Sequence, residues 1–274
     1  MSRRDARARG RRGSFKVGEI PGFGGFTGLF FVYLYAPIAI LVLFSFNASR
    51  SATIWAGFSA DWYVRAFAND DIQRALVNSL IIAGVATLVA TSAAILAALA
   101  LTRGGAFRGR GPAYGILMMP LIVPEVVTAV ATLSFFSMIG LSLGLGNVII
   151  AHTVFCIPFA FLPVRARLQG MDRTLEQAAQ DLYADDWKTF RHITLPLLMP
   201  GILSGAMLAF IISIDDFIIT LMVAEAGSTT LPLYIYGMVR LGITPEVNAV
   251  STVMLALSVL FVTLSWLVGR RKLG

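Results

Sequence analysis

The sequence predicts an all-α integral membrane protein with six spanning helices, on three observations. Only 14% of its 274 residues are charged and 57% are hydrophobic, at a mean hydropathy of +0.78. A soluble domain of this size carries roughly 25% charged residues. Six apolar runs reach the length of about 20 residues that a helix needs to cross a bilayer: 26–46, 76–101, 114–139, 147–164, 201–224 and 247–268. The third observation is the uneven placement of the 22 Lys and Arg residues. The N-terminal tail holds 7, the loop 102–113 holds 3, the segment 165–200 holds 5 and the C-terminal tail holds 3, while the opposite face has only Arg50, Arg65, Arg74 and Arg240.

An even number of spans puts both termini on one side, and the positive-inside rule makes that side cytoplasmic. The same distribution accounts for a pI near 10.0 without nucleic acid, since juxtamembrane arginines suit anionic lipid headgroups. Residues 1–25 read as a basic, disordered cytosolic tail and 269–274 as a second short basic tail. The run 26–46 is longer than the h-region of a cleaved signal, which predicts a retained anchor. Cys156 is the one cysteine and lies in an apolar run, so no disulfide framework or thiolate metal site forms within the chain.

The external connection 47–75 carries Trp55 and the stretch SADWYVRAF, read as a short interfacial helix with Trp62 and Tyr63 at headgroup level. Gly201 and Gly205 form a G-x-x-x-G at the start of the fifth span, where small residues let helix backbones approach. Three acids fall inside expected spans: Glu125 in the third, Asp215 and Asp216 in the fifth. Charge inside a membrane is costly and faces a polar cavity or a partner. No Lys or Arg in the six spans is available, so the partner is a proton, an ion, water, another subunit or a cationic substrate. Counting ~1.5 Å per residue along straight helices puts Glu125 and Asp215 at similar depth, with Asp215 and Asp216 about 100° apart on their helix. Pro120 and Pro124 are placed to kink the third span. Ser213 shares a face with Asp216. An anion would be repelled from this group and a small organic cation attracted.

The polar segment 165–200 holds two short amphipathic patterns. Leu175, Ala178, Ala179 and Leu182 form one apolar stripe, and Thr174 with Gln177 reads as a capping box. Asp185 caps a second helix with Trp187, Phe190 and Ile193 on its apolar side, and Pro196 and Pro200 are expected to end it. Such a pair of helices either sits in a groove on another protein or folds back on its own bundle. Enzyme chemistry finds no support: there is no Walker A loop, His152 and His192 are far apart with no H-E-x-x-H, and adjacent aspartates on one helix do not face across a shared site as an aspartyl dyad does.

The stretch EQAAQDLYADDWKTFRHITLP (176–196) resembles the E-A-A signature of permease subunits of bacterial ABC importers. Ala178, Ala179, Ile193, Leu195 and Pro196 match at the family's spacing; Gln177 stands for the usual Glu and Tyr183 for the usual Gly. The stretches 33–49, 55–63, 119–127, 151–159, 209–219 and 231–249 further resemble, in order, the permeases of spermidine/putrescine importers. The resemblance implies the type I ABC importer (MetI-like) permease fold. It also implies a heterodimer with a second permease, an external polyamine-binding protein and a cytoplasmic ATPase dimer. ATP and Mg belong to that ATPase, with no cofactor on this chain. It further implies that Trp55, Glu125, Ser213, Asp215 and Asp216 serve polyamine uptake. Thr174, Glu176, Gln177, Ala178, Ala179, Asp181, Tyr183, Ile193, Leu195 and Pro196 are implied to serve ATPase coupling in the bacterial inner membrane. The alternatives are an ABC permease for another small cationic or amino-acid-like solute, or a proton-coupled carrier. Of the two departures, Gln177 removes a charge and Tyr183 is expected to alter the bend between the two short helices.

Overall fold

A computed structural model describes residues 22–51, 54–105, 107–242 and 244–270. The expected N-terminal tail therefore lies almost wholly outside the described residues, and the C-terminal tail mostly so. Every named element among the described residues is helical. Five helices are long and apolar enough to cross a membrane, and one bent pair makes a sixth crossing if it counts as a single span.

The core is a packed trio: α3 (Asp70–Thr102), α6 (Leu145–Gln169) and α9 (Leu195–Asp215). Asn69 starts α3 with its side-chain oxygen accepting the Asp71 and Ile72 N–H groups, so this helix begins earlier than the apolar run that announces it. One face of α3 is a ladder of small residues, with Ala83, Ala86, Ala90, Ala94 and Ala98 all fully buried. The G-x-x-x-G does similar work between α6 and α9. A Cβ on Gly205 would stand 2.5 Å from the Ala160 carbonyl oxygen, and one on Gly201 would stand 2.6 Å from Arg167 Cβ.

Outside the trio, α1 (Phe23–Phe44) leans on α12 (Pro245–Arg270) and buries none of its apolar window. The expected interfacial helix is α2 (Asp61–Ala68). Its Trp62 is not a headgroup anchor, however. The ring is buried and its Nε1 donates to the Asn47 carbonyl at 2.8 Å, while Tyr63 OH meets Ser45 Oγ at 2.6 Å. The external loop after the fifth span folds as α11 (Leu231–Leu241) and is stitched down by polar bonds. Asn78 Nδ2 donates to the carbonyls of Gly227 and Thr229, and Ser79 Oγ accepts the Leu231 N–H.

Two expected spans are not straight helices. The third is α4 (Arg110–Ile122) followed by α5 (Glu125–Met138), bent by 110°. Pro124 causes the break: it has no N–H to give and forces Val123 out of helical dihedrals, to ψ 133°. The fifth span ends α9 at Asp215, turns extended at Asp216 (ψ 130°) and resumes as α10 (Ile218–Val223). Depth counted along straight helices does not describe either one.

The start of the fifth span also departs from expectation. Pro196 and Pro200 do not stop the helix; it runs as one apolar span from Asp186 to Asp215. Pro196, next to the start of α9, has no N–H to give to the ladder of this continuing helix. Immediately before it, α8 (Asp186–Thr189) widens into a π-turn over Phe190–Thr194, closed by Leu195 N–H donating to the Phe190 carbonyl. That extra residue shifts the ladder around the proline.

Candidate functional site

The two helix breaks meet. Glu125 opens α5, the helix end that favours negative charge, and the extended residue Asp216 lies beside it. The two carboxyl groups are close enough to interact. With Asp215, Phe155, Phe159, Ile212, Phe217 and Ile218 they line a cleft of about 460 Å³. Glu125 is half-buried, Asp216 buried and Asp215 exposed. The two aspartates do not share helical geometry. Asp215 closes α9 and accepts from Ser258 Oγ of α12 at 3.2 Å, whereas Asp216 turns toward α6 and α10.

Asp216 has a partner that the sequence reading passed over. His152 of α6 is 1% exposed, with Nε2 3.2 Å from Asp216 Oδ1 and 3.0 Å from Thr220 Oγ1. Its Nδ1 lies 2.8 Å from Ser213 Oγ. Asp216 Oδ1 also accepts the Thr220 N–H at 3.1 Å and the Thr220 hydroxyl at 3.2 Å. Asp216 Oδ2 is buried with no protein donor. The lining residues of the cleft include no Lys or Arg, and a histidine stands behind them. The rule that flagged the acids, that an ionisable group inside a span needs a reason, applies equally to His152. Ser213 is brought to the site as a support for this imidazole and does not line the cleft. Trp55 is not brought there. It is exposed in the first external loop, edge-on to Phe44 with ring centroids 6.0 Å apart.

The polar segment is less separate from the bundle than its composition implies. It comprises the end of α6, then α7 (Thr174–Asp181), α8, the π-turn and the first turn of α9. The capping box is absent because the helix begins one residue early, with Arg173 as N-cap and Thr174 already inside. Asp172 caps instead: its Oδ1 accepts the Thr174 N–H at 2.9 Å, a bond that holds this carboxyl below the usual carboxylate range. Asp185 does cap α8, accepting the Lys188 N–H at 2.7 Å. Glu176 points inward. It meets Arg103 Nε at 3.3 Å and accepts from Thr194 Oγ1 at 3.0 Å, tying α7 to the end of α3 and to the π-turn. Gln177, Ala178, Asp181 and Pro196 are exposed, Ile193 and Leu195 half-buried and Ala179 buried. The apolar stripe thus splits, since Leu182 is 82% exposed and turns outward together with Trp187.

Tyr183 forms a glycine-type turn. It takes φ +59°, the left-handed conformation that glycine favours, and the helix closes as a Schellman motif. Ala184 N–H donates to the Ala179 carbonyl at 3.0 Å and Tyr183 N–H to the Gln180 carbonyl at 2.9 Å. A left-handed non-glycine residue costs roughly 1–2 kcal/mol. Tyr183→Gly is therefore expected to preserve the turn and stabilise it by about 1 kcal/mol, read as a higher melting temperature of the purified protein. A lower one means that the 97%-exposed ring makes stabilising contacts of its own.

The family model described as "Binding-protein-dependent transport system inner membrane component" matches residues 90–271, which include both helix breaks and the polar segment. The chain belongs to this family. It is an importer permease, a transport subunit and not an enzyme. The permease is 41% identical to the spermidine/putrescine transport system permease protein PotC of Haemophilus influenzae over 247 residues, covering 90% of this chain and 96% of the relative. It is 38% identical to the putrescine transport system permease protein PotI of Escherichia coli, covering 82% of each. In fold, the permease is similar to a chain of a bacterial ABC transporter involved in the import of the acidic polysaccharide alginate. The TM-score is 0.71 at 20% identity, covering 89% of this chain and 92% of that one. It is also similar to a chain of the inward-facing MetNI methionine ABC transporter, at TM-score 0.62 and 20% identity, covering 74% and 98%. At those identities the solved structures speak for the fold alone.

Proposed function

We propose that this permease imports polyamines across the bacterial inner membrane and that Glu125, Asp215 and Asp216 form its substrate-neutralising site. The observation that carries the reading is the composition of the cleft. Carboxylates with no Lys or Arg among the lining residues stand beside Phe155, Phe159 and Phe217. A linear alkylammonium ion has matching needs. Its ammonium ends seek carboxylates and aromatic faces, and its methylene segments seek the apolar wall. The names of the relatives point to the same class of solute. A carboxylate site in a solvent-shielded crossing also repels anions.

The family description, the E-A-A-like spacing and the outward-facing Leu182, Tyr183 and Trp187 support a cytoplasmic ATPase seated on α7 and α8. ATP and Mg belong to that partner. Closure of an ATPase pair pulls on α8. The unbroken helix from Asp186 to Asp215 then carries the displacement to the acid cleft. A second permease completes the pathway, and an external binding protein delivers the polyamine. Most of the affinity rests in that protein, because a permease site must also release its cargo.

Proteoliposomes of the complete transporter with ATP enclosed on the ATPase side test the reading. Labelled spermidine or putrescine should accumulate only with ATP and the binding protein, and an uncharged diol of similar length should not compete. Uptake that survives removal of the ATPase but collapses with the proton gradient would identify a proton-coupled carrier. Uptake of an amino-acid-like cation in preference to polyamines would replace the substrate class and keep the importer.

A further inference from the structure

Behind the cleft lies an ionisable group that substrate neutralisation does not use. His152 is sealed in the protein at the point where α6 passes both parts of the broken fifth span. Its two ring nitrogens reach Ser213 on α9 and, across the break, Asp216 and Thr220 on the α10 side. A carboxylate beside Nε2 assigns the neutral tautomer with the proton on Nε2. Nδ1 then accepts the Ser213 hydroxyl, Nε2–H donates toward Asp216 Oδ1 and Thr220 Oγ1, and the Thr220 hydroxyl donates to Oδ1. Every polar atom of this group is satisfied except Asp216 Oδ2. One oxygen of Asp216 is thus fully engaged by the protein, and the other is left without a donor in a shielded place.

We propose that His152 is a positioning residue: by holding Asp216 Oδ1 it fixes the carboxylate whose charge serves the cationic cargo. The inference rests on the reading of the cleft as a cation site. With Nε2 3.2 Å from Asp216 Oδ1 in shielded surroundings, the imidazole orients that carboxylate more strongly than the same contact would in water. The ionisable groups around His152 are few. Asp216 touches it directly, and Glu125 of α5 faces it through Asp216. Cys156 lies one turn along α6 with its thiol on the Ala209 carbonyl. Asp215 points away to Ser258 of α12. The packed helix α3 has no ionisable side chain between Arg74 and Arg103.

The test is ATP-driven spermidine uptake by the complete transporter in proteoliposomes, with the same binding protein throughout and KM and kcat read separately. Wild type is compared with His152→Gln, which keeps a neutral donor near the Nε2 position, and His152→Phe, which removes it. H152F should raise KM about tenfold, the size of one hydrogen bond to a charged group, while H152Q stays within about threefold of wild type. An assembled H152F with wild-type KM overturns the proposal, as does an H152Q whose KM rises as far as that of H152F. If H152F does not assemble, H152Q decides alone: a KM raised about tenfold overturns the proposal and one near wild type supports it. Asp216→Asn separates the two levels: without effect, it removes the cation site itself, whereas a damaging D216N beside silent His152 variants removes only the role given to the histidine.

Discussion

Asp216→Asn is expected to lower the efficiency of polyamine uptake by about a hundredfold while the permease still assembles. The asparagine keeps the shape of the side chain, and its Oδ1 can still accept from the Thr220 N–H and hydroxyl. What it loses is the charge, and loss of one member of a desolvated charge pair costs roughly 2–5 kcal/mol. Glu125→Gln should act in the same direction because its carboxyl faces the same space. Asp215→Asn should cost less, since Asp215 is exposed and tied to Ser258. The measurements are initial rates of labelled spermidine uptake against concentration, with the assembled amount read by immunoblot. Wild-type kinetics in both D216N and E125Q would remove the acid cleft from the transport pathway.

Gly205→Val is expected to cut the amount of assembled permease several-fold, whatever the substrate. A Cβ at this position stands 2.5 Å from the Ala160 carbonyl oxygen and 3.2 Å from Ala160 Cα. The obstacle is backbone, so no rotamer change relieves it and α6 must move off α9. Overpacking of a tight contact costs about 1–3 kcal/mol, and here the same separation pulls His152 away from Ser213. Gly84→Ala on α3 is the control: no atom lies within 4 Å of its added Cβ, so only helix propensity changes. Equal membrane levels and equal thermal stability for G205V and wild type would show that the α6–α9 approach has slack.

The breaks at Pro124 and Asp216 were legible to different degrees. Pro124 marks its own break, because a missing N–H and a constrained preceding residue are properties of the sequence. Nothing local marks Asp216. Its extended conformation is held by the Thr220 N–H, the Thr220 hydroxyl and His152, two of them four residues on and the third on another helix. Tyr183 reads as a poor residue for a left-handed turn, yet the Schellman bonds around it impose one. Trp55 rests on resemblance alone, and among the described residues no contact joins it to the cleft.

The sequence by itself determined that the chain is an all-helical membrane protein with three intramembrane acids and an amphipathic cytosolic segment, and its motifs carried the resemblance to importer permeases. Composition, apolar run length and charge asymmetry are sums over local chemistry and need no coordinates. Only the tertiary structure decided that Glu125 and Asp216 share one cleft, that Asp215 turns to α12, that His152 supports Asp216, and that Glu176 is spent on Arg103 and Thr194. Each of these depends on which helices meet and where their ladders break. That is set by small-residue packing between distant segments, and a one-dimensional pattern does not record the pairing.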